Sequence, residues 1–128
     1  MHERCPDCDG PLAEFSVPEA LEPYAPGPAA ALCERCLGVH RRDSGPTAPD
    51  FGSIDDAFPP GEAAIAIALL LGKADSIALN RADLVALIEF AENHGADVFL
   101  TLDRLAREPA VEPAIDLDRR RPQLQQLV

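Results

Sequence analysis

The sequence predicts a small α+β chain: a cysteine-bearing β-hairpin at the N-terminus, followed by a compact three-helix region. Three observations lead there. All four cysteines fall in residues 1–40, as two pairs of identical internal spacing. Residues 41–61 are dense in Gly, Pro, Ser and Asp and read as irregular connection. Residues 62–128 carry apolar positions at helical spacing, broken by capping residues and glycine stops, and end in a tail.

In the first stretch, Leu12–Val17 reads as a short strand, with Ala13, Phe15 and Val17 on one face and Glu14 and Ser16 on the other. Pro18 ends it. Pro23, Pro26, Gly27 and Pro28 mark a loop, and Ala29–Leu32 forms the returning strand that runs into the second cysteine pair. Beyond the connection, Glu62–Leu71 reads as an Ala-rich helix closed by Gly72. Asn80 is a suitable N-cap, with Asp83 three residues on. Leu84, Leu87, Ile88 and Ala91 then recur at i, i+3, i+4 and i+7, and Gly95 supplies the stop. Asp97 caps a third helix with Val98, Leu102, Leu105 and Ala106, which ends before Pro109. From Val111 onward the expectation is extended chain, with one helical turn at the end.

The composition narrows the function. The 128 residues hold 22 acidic and 11 basic side chains, for a formal charge of −11. Ten of the basic residues are Arg, Lys73 is the one Lys, and Ala supplies 21 residues against 28 Val, Ile and Leu together. Many carboxylates, scarce Lys and small aliphatics read as a halophilic protein, hydrated by acids whose repulsion salt screens. An ordinary acidic protein from a GC-rich genome would show the same bias. A transmembrane helix is excluded: the longest apolar run, Ala63–Leu71, is nine residues, where a span needs about 20. The first twenty residues hold charges, Pro and two Cys, unlike a secretory leader, so the setting reads as cytoplasmic. An acidic chain also disfavours phosphate-backbone binding as the main activity.

Cys5-Pro6-Asp7-Cys8 and Cys33-Glu34-Arg35-Cys36 are separated by 24 residues. Zinc takes four soft ligands in a tetrahedron about 2.3 Å from the metal. Two residues between cysteines let one tight turn offer both sulfurs to a single point, and Gly10 eases the reversal after the first pair. The intervening length accommodates the hairpin, giving a zinc ribbon over residues 1–40 with Cys5, Cys8, Cys33 and Cys36 as ligands to one Zn2+. Disulfides, a redox Cys-x-x-Cys and a rubredoxin-like iron site compete for the same residues. Four thiolates fill the shell, so the site reads as structural and not catalytic. Filling it would make the ribbon more anionic, which weakens the usual inference from zinc ribbon to DNA.

Other residues carry weaker signals. His2 and His40 lie near the cysteine pairs, and either could replace one as ligand. His94 falls in the last turn of its helix, where imidazole complements the helix dipole. Asp55 and Asp56 could hold magnesium, but two carboxylates in a Pro/Gly-rich loop read better as a solvated turn. Arg41-Arg42 and Arg119-Arg120-Arg121 could touch phosphate; in so acidic a chain they are expected to pair with acids such as Asp116 and Asp118. Phe51 and Phe58 are expected to pin the connection onto the helices. No nucleophile–base arrangement, phosphate-binding loop or dinucleotide motif is present, so no enzyme is predicted.

Cys5-Pro-Asp-Cys8 and Cys33-Glu-Arg-Cys36-Leu37, with Pro49-Asp50-Phe51, Asp55-Asp56-Ala57-Phe58-Pro59, Ala78-Leu79-Asn80-Arg81, Leu102-Asp103-Arg104-Leu105 and Asp118-Arg119-Arg120-Arg121, resemble a set of small uncharacterised haloarchaeal proteins. Their N-termini look like CPxCG-related zinc fingers, and the resemblance covers nearly the whole chain. One departure is visible: Asp9 stands where that knuckle has Gly directly after its second Cys. The resemblance implies fold, metal and setting, and no activity. The expected role is that of a zinc-binding, non-enzymatic adaptor whose partner is another protein. The alternative is a transcription-associated, nucleic-acid-binding ribbon using Arg41, Arg42 and Arg119–Arg121.

Overall fold

Phe15, fully buried in the first strand, ties the two halves of the chain together. The structure is a computed structural model and describes residues 4–52, 54–56 and 58–128. Strands β1 (Leu12–Ser16), β2 (Ala29–Cys33) and β3 (Val39–Arg42) form one antiparallel sheet in the order β1-β2-β3. Helices α1 (Glu62–Lys73), α2 (Ile77–Asn93), α3 (Val98–Arg107) and α4 (Leu117–Gln125) follow. This is the expected α+β class, with one strand and one helix more than the sequence predicted.

The extra strand is β3. Val39-His-Arg-Arg42 has one aliphatic residue and no alternation, so its side chains give no strand signal. It forms because β2 is central and needs partners on both edges. Leu12 faces Cys33 and Ser16 faces Ala29 on one side; Ala29 faces Arg42 and Leu32 faces Val39 on the other. Every residue of β2 is buried, which explains its alanines: small side chains admit cover on both faces. Between β1 and β2, Glu19–Tyr24 forms a 3-10 helix that buries Leu21.

Helix α1 is the centre of the fold. Ala63 through Leu71 are all buried, as expected of a helix apolar all round. Gly72 does not close it; the helix runs on to Lys73. The glycine instead permits contact with the sheet, since a Cβ there would stand 2.8 Å from Val39 Cβ. Helix α2 begins a turn before Asn80, which marks a break (φ −110°, ψ 17°) and not the start. Its side-chain amide donates back to the carbonyls of Lys73 and Ser76, so it serves the preceding turn and not the helix to come. Gly95 (φ +87°) follows that helix, and Asp97 caps α3 by accepting from Leu100 N–H, both as expected. The tail forms a fourth helix in place of one turn. Asp116 caps it by accepting from Arg119 N–H, and Leu117 and Leu124, two turns apart, bury one face. Pro122, inside that helix, hides it from a reading by propensity.

One hydrophobic cluster joins Phe15, Leu21 and Leu32 of the N-terminal part to Phe51, Ile54 and Phe58 of the connection and to all four helices. Phe51 meets Phe15 edge-on (5.6 Å, 76°) and lies 5.0 Å from Phe58, so these rings hold the connection in the core. No described helix is long and apolar enough to cross a membrane.

Candidate metal centre

The two cysteine pairs sit on two hairpin turns built alike. Arg4 and Pro11 bridge across the first turn, and Leu32 pairs with Val39 across the second. In the first, Cys5 N–H donates to Gly10 O (2.9 Å) and Asp9 N–H to Cys5 O (2.8 Å). In the second, Cys33 N–H donates to Gly38 O (2.8 Å) and Leu37 N–H to Cys33 O (3.1 Å). The repeat is therefore Cys-x-x-Cys-x-Gly in both. The residue after each second cysteine has positive φ, +62° at Asp9 and +63° at Leu37. That is the conformation a glycine would supply, so Asp9 meets the turn's demand itself. Gly10 serves close packing: a Cβ there would lie 2.9 Å from Arg35 Cβ and 3.0 Å from Cys33 Sγ.

These turns bring the four sulfurs of Cys5, Cys8, Cys33 and Cys36 within 4.8 Å of one another. Cys5 and Cys36 sulfurs are 3.7 Å apart, and those of Cys8 and Cys33 are 3.5 Å apart. A tetrahedral tetrathiolate with bonds of about 2.3 Å has edges of about 3.8 Å. The donor set therefore fits a dication of zinc's size and softness. All four cysteines are free thiols, and Cys5, Cys33 and Cys36 are buried.

Main-chain amides converge on the sulfurs. Cys33 Sγ accepts from Arg35 N–H (3.4 Å) and Cys36 N–H (3.3 Å). Burial opposes ionisation of Cys5, yet the amides of Asp7 and Cys8, with His40 and Cys36, hold its thiol below the ordinary value. Cys8 is likewise held down against its desolvation by the Gly10 amide and the neighbouring sulfurs. Burial pushes the Cys33 and Cys36 thiols up, and Cys8 adds to the rise at both. The thiols of the first turn are thus held below their ordinary value and those of the second above it, and a cation at the centre would stabilise all four as thiolates.

His40, on β3, points its Nε2 at Cys5 Sγ (3.5 Å) and lies 3.9 Å from Asp7 Oδ2. It stands beside the four-sulfur group as a hydrogen-bonding neighbour of one member. His2 lies outside the described residues. The second turn is also fastened from behind, because Glu112 N–H donates to Arg35 O (2.7 Å) and Ala114 N–H to Cys36 O (3.1 Å). No sequence pattern at 111–114 announces that contact.

The remaining candidates lie elsewhere. Asp55 is not a solvated turn residue: its carboxylate is buried and meets Arg104 of α3 at 3.5 Å, while Asp56 is exposed. Neither joins a metal-ligating group among the described residues. Arg41 pairs with Asp43 (2.9 Å), and Arg121 pairs with Asp103 (2.6 Å) while lying over the Phe99 ring. Arg121 therefore finds its acid on α3; Asp116 is spent as the α4 cap. His94 caps α2, stacks on Phe90 and bonds to its carbonyl through Nδ1 (2.8 Å).

A three-stranded sheet with four clustered cysteines, followed by helices, defines a small α+β protein whose thiol set is compatible with metal binding. The chain belongs to a family of unknown function, DUF6276, whose pattern it matches over residues 4–128. No curated protein and no solved structure matches it.

Proposed function

We propose that the chain is a non-enzymatic Zn2+ protein in which one structural zinc, held by Cys5, Cys8, Cys33 and Cys36, organises a surface that binds another protein. The supporting observation is the set of four sulfurs within 4.8 Å of one another, two pairs of them at 3.7 and 3.5 Å, with main-chain amides hydrogen-bonding to them. Four protein donors complete a tetrahedral shell and leave no coordination position for substrate, which supports a structural role over a catalytic one. The reading sets the protein in the cytoplasm, where thiols stay reduced. An acid-rich, Lys-poor composition fits work in concentrated salt.

The test counts metal per chain by mass spectrometry and repeats the count for Cys36→Ser. One zinc in the parent chain and none in the variant, with loss of strand signal, is the expected outcome. Iron in the parent, or zinc retained by the variant, overturns the assignment. Capture of partners in high salt then separates the two roles. A defined protein supports the adaptor, and stoichiometric nucleic acid replaces it with a nucleic-acid-binding ribbon.

A further inference from the structure

A cavity with a volume near 590 Å³ opens between the first turn of α2 and the end of α4, away from the cysteines. Ile77 and Leu127, both half-buried, give it apolar walls, and Arg81, Arg120, Gln123 and Gln126 give it polar ones. On the same turn of α2, Leu79 stands 87 % exposed. Elsewhere in this acid-rich chain Lys73, Arg104 and Arg121 each meet a carboxylate. Arg81 and Arg120 have none within ion-pair distance among the described residues. Arg120 is held by neutral acceptors, Gln123 Oε1 (3.1 Å) and the main-chain oxygen of Asp75 (3.4 Å). Asp75 carries the one carboxylate among the cavity-lining residues, so the lining is cationic by one charge on a molecule of −11.

We infer that this cavity is the docking site for an acidic peptide segment of a partner protein, one that places a carboxylate beside an aliphatic side chain. The carboxylate sits between the two guanidiniums, which present forked donors at fixed geometry. The aliphatic group covers Ile77, Leu127 and the exposed Leu79, removing apolar surface from water on both sides. Charge complementarity selects this occupant. A nucleic acid would find no aromatic ring among the lining residues on which to stack a base. The inference rests on the adaptor reading and names its partner chemistry.

The experiment uses the full metal-loaded chain and a synthetic amphipathic peptide of glutamate and leucine, with a lysine–leucine peptide and a single-stranded oligonucleotide as comparisons. The expected result is shifts of the amide resonances of Ala78, Arg81, Gln123 and Leu127 by the acidic peptide alone. The Arg81→Glu/Arg120→Glu double variant, with metal content and helicity unchanged, is expected to weaken binding at least tenfold. A milder Arg81→Gln variant gives the same direction if the double variant does not fold. No shifts at these amides, equal binding by the variants, or preference for the lysine peptide or the oligonucleotide overturns the inference. A partner protein captured equally by parent and double variant overturns it while leaving the adaptor reading standing.

Discussion

At Asp9 and Leu37 the backbone adopts the left-handed region in a side-chain-bearing residue, at φ +62° and +63°. This conformation costs roughly 1–2 kcal/mol for most L-residues and less for Asp. Asp9 is exposed, so its side chain contributes little in return, whereas Leu37 is buried in the core and offsets its strain by packing. Asp9→Gly is therefore expected to raise stability by a few tenths of a kcal/mol, the relieved strain being offset by the glycine's greater unfolded-state freedom. Asp9→Val should lower it by about 1–2 kcal/mol, both read by denaturant titration of the metal-loaded chain. His40 supplies a second residue-scale test. Its Nε2 lies within hydrogen-bond reach of Cys5 Sγ, 3.5 Å away. Groups that hydrogen-bond to metal ligands orient them, and losing one costs about 10–100-fold in metal affinity. His40→Ala should weaken zinc binding by that order in chelator competition while the far-ultraviolet spectrum stays that of the parent. Unchanged affinity would show that Cys5 is positioned by its own turn alone.

Among the elements, what was legible and what was not follows from where the physical signal resides. The cysteine turns were legible because their chemistry is written in residue type and spacing. Helix α1 was legible as an unbroken apolar run, α2 by its apolar periodicity although Asn80 is not its cap, and α3 because periodicity and the Asp97 cap coincide. Strand β3 and helix α4 were not: β3 is held by pairing with β2, and α4 by Leu117 and Leu124 finding the core across Pro122. Asp55 was misjudged for the same reason, since only the fold brings Arg104 to it. Gly72 illustrates the point best. Helix propensity alone says that Gly72→Ala stabilises by about 1 kcal/mol. The contact with β3 reverses the sign, because the new Cβ would fall 2.8 Å from Val39 Cβ and 2.9 Å from its Cγ2, at the rigid root of a β-branched side chain. Gly72→Ala is expected to destabilise by about 1–3 kcal/mol through overpacking. Adding Val39→Ala should recover part of that loss, and a double-mutant cycle measures the coupling. A stabilised single variant would mean that β3 and α1 slide apart without cost.

Over the whole molecule, the four-cysteine cluster and the helical body are joined in two independent ways. The core is continuous, from Phe15 of β1 through Phe51 to α1 and on to Leu124 of α4. The second cysteine turn is also bonded directly to the segment that leads into α4, through Glu112 N–H to Arg35 O and Ala114 N–H to Cys36 O. Those carbonyls belong to the loop that the metal would hold shut. Structural zinc contributes folding free energy on the order of 10 kcal/mol in small sites, comparable with the about 5–15 kcal/mol that a whole domain possesses. Chelation should therefore do more than open residues 4–42. Removing an ion held by the four cysteines would free the carbonyls of Arg35 and Cys36 from their fixed places, and the amides of Glu112 and Ala114 would lose their partners. Hydrogen exchange followed by mass spectrometry gives the readout, with and without a zinc chelator. Peptides covering β1 to β3 and those covering 111–116 are expected to lose protection together, while α1, shielded on all sides, loses it last. Protection at Glu112 and Ala114 that outlasts loss of the ribbon would show that the segment is held by Val111 and α4 alone, and that the metal's influence ends at the sheet.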